Sequence, residues 1–152
     1  MRNTIIFLFC FVLFSCSKEN EAELKCDYNE IICSAIDEHL LNKKKWNNLN
    51  ISSYSMNFSV SCYCPFLGPF LVTVNENSID SSSGNEEWGN DNWPLTINDL
   101  FNEVERRIYE DPFSFEIKYD SKYGYPNDSS FDMVKMIADD EIEYYITDFL
   151  PL

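Results

Sequence analysis

Phe113, Phe115, Ile117 and Tyr119 recur at every second residue, and the chain then meets Asp120-Ser121-Lys122-Tyr123-Gly124-Tyr125-Pro126. One apolar strand therefore closes, turns and opens into another. On a strand the four apolar residues share one face, and Ser114, Glu116 and Lys118 take the other, so the strand is half-buried. Gly124 reaches backbone conformations closed to other residues, Pro126 fixes its own φ, and Tyr125 is biased towards extended geometry. The next strand is expected from near Ser129, with Phe131, Met133 and Ile137 continuing the sheet. Tyr123, Tyr125 and Asp120 admit two readings, a recognition surface or a pinned hairpin; tyrosines at a Gly-Pro turn usually pack.

The clearest strand lies earlier. Tyr54, Met56, Phe58, Val60 and Cys62 alternate with Ser and Asn, which puts one face in a core. Pro65 and Gly68-Pro69 break it, Phe70 to Val74 returns, and a short strand around Ser78 to Ser82 completes a meander after Asn75-Glu76-Asn77. The run from Ser81 to Asn92 is a polar loop interrupted by Trp88, with Trp93 just beyond it. Exposed tryptophans there would form a contact surface; tryptophans clamping the loop to the core are the alternative.

Two helices frame this meander. From Tyr28 to Asn47, Ile31, Ile32, Ala35, Ile36, Leu40 and Leu41 recur at three and four, and the helix ends in Lys43-Lys44-Lys45-Trp46, which suits a C-terminal dipole. His39, the one histidine in the chain, has no acid–base partner in the sequence pattern and reads as a surface residue. Thr96 and Asp99 cap a second helix whose stripe is Ile97, Leu100, Phe101, Val104 and Ile108, expected to cross the sheet. Asp139-Asp140-Glu141 turn into a last strand over Glu143 to Phe149. The fold expected is α+β: an antiparallel sheet of about five or six strands, with the crossing helix and the N-terminal helix on one face.

The order of Trp46, Ser53-Tyr54, Cys62-x-Cys64, Thr96-Ile97-Asn98-Asp99-Leu100-Phe101, Tyr119-Asp120-x-x-Tyr123-Gly124-Tyr125-Pro126 and acidic Asp139-Asp140-Glu141 resembles an uncharacterised family of small bacterial exported proteins and lipoproteins, a domain of unknown function. The likeness covers Trp46 to Phe149. It implies no catalytic residues. Glu76-Asn77 departs from the Asn-Gly that the family tends to place in a hairpin turn, which leaves the turn type open but not the hairpin.

The N-terminus is an address. Arg2 precedes an apolar run from Ile5 to Phe14, too short to span a bilayer, and Leu13-Phe14-Ser15-Cys16 resembles a bacterial lipobox. Residues 1–15 then form a lipoprotein signal peptide, Cys16 carries the lipid, residues 16–25 form a flexible tether, and residues 26–152 form a single domain. Ser17 beside the lipidated Cys looks like an outer-membrane sorting signal, and Lys18 followed by acids is similar to a surface-export tether; a mere spacer is the alternative reading. The expected location is the bacterial cell envelope, an outer-membrane lipoprotein that is a candidate for surface exposure.

Charge and cysteines narrow the partners. With 26 acidic against 11 basic residues and a formal charge of −15, nucleic acid is excluded, since binding it relies on Lys and Arg. The membrane is reached through the lipid anchor, and the remaining partner is an unknown protein. Cys26, Cys33, Cys62 and Cys64 make an even set in an exported chain and read as two disulfides. Cys62 and Cys64 share a strand face, where a bridge between residues two apart is strained, so each is expected to reach Cys26 or Cys33 in one of two crossed connectivities. Each bridge would contribute about 2–4 kcal/mol. A zinc site or a redox pair is the alternative; the first needs four convergent thiolates and the second is usually Cys-x-x-Cys.

The sequence carries no Gly-rich phosphate loop, His-Glu-x-x-His, nucleophile elbow or Asp-x-Asp-x-Asp-Gly loop, so no cofactor or metal is expected. Asp139, Asp140 and Glu141 are a weak cation candidate, because adjacent acids on a turn rarely converge on one ion. The leading expectation is a non-enzymatic, lipid-anchored binding or structural module with Trp88, Trp93, Tyr123 and Tyr125 as its contact surface. A hydrolase pairing Asp120 with Asp128 or Asp132, and an inhibitor of an exported enzyme, are the alternatives.

Overall fold

The structure is a computed structural model that describes residues 26–63, 67–83, 93, 96–137 and 139–152. The fold is α+β. In chain order it runs α1 (Glu30–Asn48), β1 (Tyr54–Cys62), β2 (Leu67–Asn75), β3 (Ser78–Ser82), α2 (Ile97–Tyr109), β4 (Ser114–Tyr119), β5 (Pro126–Asp132) and β6 (Ile142–Pro151). The strands form one six-stranded antiparallel sheet in the order β3-β2-β1-β6-β5-β4. The expected signal peptide over residues 1–15, Cys16 and the expected tether lie outside the described residues, as do Cys64 and Trp88.

Alternation decides the layers. Tyr54, Met56, Phe58 and Val60 of β1, Val72 and Val74 of β2, Phe131 of β5, and Ile142, Tyr144 and Ile146 of β6 are buried beneath both helices. Ser55, Asn57, Ser59, Ser61, Thr73, Ser130, Glu143 and Tyr145 take the opposite face, which is uncovered among the described residues. The stripe of α2 packs as the spacing predicts, with Ile97, Leu100, Phe101, Val104 and Ile108 all buried. Its cap is Thr96, whose hydroxyl accepts from the Asp99 amide at 3.0 Å and donates to the Asp99 carboxylate at 2.6 Å. The Tyr54 hydroxyl accepts from the Ile97 amide at 2.9 Å, tying the start of α2 to the sheet.

α1 is turned relative to the expected face. Ile32, Ile36, His39 and Trp46 are buried, while Ile31, Leu40 and Leu41 are exposed at 72, 44 and 69%. Trp46 sets the rotation. Its ring lies edge-on to Tyr54, Tyr125 and Phe149, with centroids at 5.8, 6.1 and 5.8 Å, and its indole N–H donates to Asn98 Oδ1 at 3.0 Å. His39 sits seven residues back, two helical turns, and so points the same way.

Three local expectations change. β2 begins at Leu67 and so includes Gly68-Pro69, and the ladder to β1 shifts register between Phe58 and Val60. A side chain at Gly68 would come within 2.7 Å of the Phe58 carbonyl, so the close approach admits glycine there. β5 begins at Pro126 rather than Ser129 and ends at Asp132, leaving Met133 and Ile137 beyond the strand. The β2–β3 turn is settled by Glu76 and Asn77, both left-handed at φ 48° and 62°, as a type I′ hairpin demands.

Candidate functional site

β4 lies at an edge of the sheet, and two clefts flank its first residues, one on each face. On the uncovered face, Ser114, Glu116, Ser130, Asp132, Glu141 and Glu143 line a cleft of about 320 Å3. The register assembles it. Glu116 faces Ser130 and Ser130 faces Glu143 across β4, β5 and β6, while Ser114 faces Asp132. The Asp132 Oδ1 is buried without a hydrogen-bond partner. The Tyr145 hydroxyl donates to Glu143 at 2.5 Å, and that hydrogen bond, helped by burial, pushes the phenol up to about 12. Lys118 pairs with Asp128 at 2.8 Å and Glu116 at 3.3 Å, which raises its ammonium above the usual range and commits it to the turn end of the strand.

On the helix face, Asn29, Ile31, Ile32, Asp111, Pro112, Phe113 and Phe115 line a mainly apolar cleft of about 340 Å3. Its helical wall is fixed twice. Asn29 caps α1 by accepting from the Ile32 amide at 3.0 Å and donates its own amide to Asp111 Oδ1 at 3.3 Å. Cys26 and Cys33 are disulfide-bonded across it, with Cα atoms 5.7 Å apart. Tyr28 and Tyr109 meet at 5.8 Å beside it, and Lys135 lies 5.2 Å over the exposed Phe113 ring.

A third cleft, also about 340 Å3, is polar and uncharged. It lies between Trp46, Asn47, Asn50, Ile51, Ser52, Asn77 and Asn98. The Asn77 amide donates to the Ser52 carbonyl at 2.8 Å, which ties the β2–β3 turn to the loop entering β1. The cleft offers amide donors and acceptors but no group that titrates near neutrality.

His39 is a correction to the sequence reading. It is 1% exposed, with Nδ1 2.9 Å from the Tyr119 hydroxyl and its ring edge-on to Phe101. Nε2 is buried without a hydrogen bond of ordinary geometry, 3.9 Å from Glu105, which in turn pairs with Lys43 at 2.7 Å. The direction of the hydrogen bond between Nδ1 and the Tyr119 hydroxyl follows the ring tautomer. Burial pushes the imidazole down to about 4; Glu105 opposes this and Lys43 adds to it. Burial also holds the Tyr119 phenol well above its ordinary value, with the Glu38 charge adding to the effect. A neutral imidazole sealed from solvent orders the core and reaches no external substrate.

Glu103 is a structural hub. Burial alone would raise its carboxyl, but hydrogen bonds from Arg106, Tyr144 and Arg107 outweigh it and bring the group down to about 2. The acids singled out for hydrolysis do not form one group. Asp120 Oδ1 accepts from the Lys122 and Tyr123 amides at 2.9 and 2.7 Å and builds the turn. Asp128 is paired with Lys118, and Asp132 sits at the far end of the hairpin, opposite Ser114.

The predicted contact residues divide. Tyr125 is 5% exposed, stacked on Tyr123 at 6.3 Å and packed on Phe149 at 4.8 Å, so it belongs to the core and not to a surface. Tyr123 is half-buried in the same cluster, and Trp93 is half-buried against the core. The crossed disulfides are corrected as well: Cys26 bonds Cys33, because the Asn29 cap folds the preceding segment back over the first turn of α1. Cys62 is also disulfide-bonded. Asp139, Asp140 and Glu141 join no group of three or more potential ligands among the described residues. Ile31, Phe113 and Glu143 escaped sequence reasoning as a site, and Glu141 was singled out only as part of a cation candidate. Their one sequence signal was the apolar Phe113 directly after Asp111-Pro112, outside any helix and at a strand start.

No curated protein and no solved structure matches the chain. A family model described as a family of unknown function, DUF6174, matches residues 38–151, from the middle of α1 to the end of β6. The chain belongs to that family of unknown function.

Proposed function

We propose that the chain is a non-enzymatic binding module of the bacterial envelope, anchored through acylated Cys16 in the outer membrane. The observation that carries the reading is the face of the sheet that no described helix covers. Both helices lie on one side, and the other presents Ser, Thr, Asn and Tyr side chains on rigid strands, ending at the acidic cleft of β4. Surfaces of this kind recognise partners without needing a reactive group, since fixed strands hold polar side chains in place at small entropic cost. The lipobox-like Leu13-Phe14-Ser15-Cys16 supports the anchor.

Two measurements test the reading. Intact mass of membrane-extracted protein should carry two or three acyl chains on Cys16; an unacylated Cys16 removes the anchor. For binding, a photoreactive residue is placed in living cells at Asn57, Ser59, Glu116 or Tyr145 on the uncovered face, and at exposed Asp37 on α1 as control. Discrete adducts confined to the uncovered face are expected. Adducts of equal yield at Asp37, or none on the uncovered face, would overturn the binding module.

A further inference from the structure

The two clefts at the start of β4 share Ser114 and Phe115 and differ in chemistry. The one on the uncovered face holds Glu116, Asp132, Glu141 and Glu143; the one on the helix face holds Ile31, Ile32, Pro112 and Phe113. Between them runs an edge. β4 pairs with β5 and, among the described residues, with no strand on its other side. A strand edge of this kind presents backbone donors and acceptors to any extended segment laid beside it.

An extended segment sends successive side chains to opposite faces. Laid along β4, it would direct every second side chain over the acidic cleft and the others over the apolar one. We propose that β4 receives an extended segment of a protein partner in which lysine or arginine alternates with apolar residues, added to the sheet as a further strand. The proposal rests on the binding-module reading and names the partner's chemistry.

Charge selects this occupant. A second copy of the chain would bring another −15 to the same edge, whereas a cationic segment meets four carboxylates, one of them with a buried, unpartnered oxygen. The one cation on β4, Lys118, pairs with Asp128 at 2.8 Å and with Glu116, itself one of the four, at 3.3 Å, which leaves Asp132, Glu141 and Glu143 to face the segment. The apolar wall is preformed. Ile31 is 72% and Phe113 53% exposed, yet the Cys26–Cys33 bridge and the Asn29–Asp111 hydrogen bond hold both sides of the cleft in place. Binding there therefore orders little of the protein.

The test uses the full chain in nanodiscs of neutral phosphatidylcholine, with a blocked octapeptide of alternating Lys and Val as probe and empty nanodiscs as blank. Backbone amide shifts should change along Ser114 to Tyr119 and at Ile31, and the Glu–Val counterpart should not bind. N-methylation of alternate peptide amides, Phe113→Ser and Ile31→Ser should each weaken binding about tenfold, a loss of about 1.4 kcal/mol. Leu41→Ser, which removes an equally exposed apolar residue outside both clefts, should leave it unchanged. Binding that survives N-methylation and both cleft variants would be plain charge attraction and would overturn strand addition. So would a concentration-dependent dimer formed through β4. If the peptide fails while cross-links on the uncovered face persist, strand addition falls and the binding module stands.

Discussion

The two ends of the β4–β5 hairpin obey the same alternation and meet different fates. At the turn end, α1 lies on top: His39 reaches the Tyr119 hydroxyl, Trp46 and Phe149 enclose Tyr125, and Gly124 comes so close that a side chain there would sit 3.0 Å from the Asn42 carbonyl. At the other end, α1 is only beginning. Ile31 and Phe113 stand in solvent, and the sheet edge is free among the described residues. Residue pattern makes a strand half-buried, but the helix that crosses it decides which half. A binding surface can therefore share one hairpin with a sealed core.

Trp46→Ala attacks the sealed end and should have the largest effect. It empties a site 3% exposed, removes three aromatic contacts and leaves Asn98 without its donor. A loss of about 3–5 kcal/mol is expected in urea unfolding.

The His39 titration comes next. Its folded value of about 4 lies below the ordinary 6.5, so the native state binds fewer protons than the unfolded chain as pH falls. Stability contributed by the neutral ring is complete above pH 6.5 and is lost as pH drops through about 4, by about 3 kcal/mol in all. Between about pH 6.5 and 5 most carboxylates stay ionised, so the slope there belongs to His39. His39→Gln should flatten that slope; an unchanged slope would mean the imidazole is not sealed.

Much of this fold was legible, and the rest was hidden for identifiable reasons. Strict alternation in β1 and the stripe of α2 each had one solution, because a polar residue in either buried set would have had no partner. α1 misled because Leu40 and Leu41 are more apolar than His39, while the rotation was set by Trp46 and by a phenol 80 residues away in sequence. The Cys26–Cys33 bridge depended on how Asn29 turns the chain into α1, a backbone detail that cysteine spacing does not carry. The clefts were invisible for a topological reason: Glu143 meets Ser130, and Asp132 meets Ser114, only once the order β6-β5-β4 is known.

Gly124→Ala probes how tightly α1 closes the turn. The residue sits at φ 84°, and its added methyl would meet the Asn42 carbonyl and Lys45 Cδ, each at 3.0 Å. A cost of about 1–2 kcal/mol is expected, combining a left-handed backbone with a small displacement of the helix. A neutral result would mean that α1 yields freely there, and the distinction between the two ends would weaken.

The smallest effect should come from Phe113→Ser at the open end. The ring is 53% exposed, and Lys135 lies 5.2 Å over it. Exposed contacts of that kind contribute about 0.5–1 kcal/mol, and relief of an exposed apolar ring offsets part of the loss, so urea unfolding should shift by about 0.5 kcal/mol or less. The same substitution is expected to weaken the alternating peptide about tenfold. That combination, near-neutral for folding and costly for binding, is what separates a surface from a core. Should Phe113→Ser instead cost more than about 2 kcal/mol in folding, the residue would be holding the hairpin together as Trp46 does. The open end would then be a second core, and β4 would have no face to offer a partner.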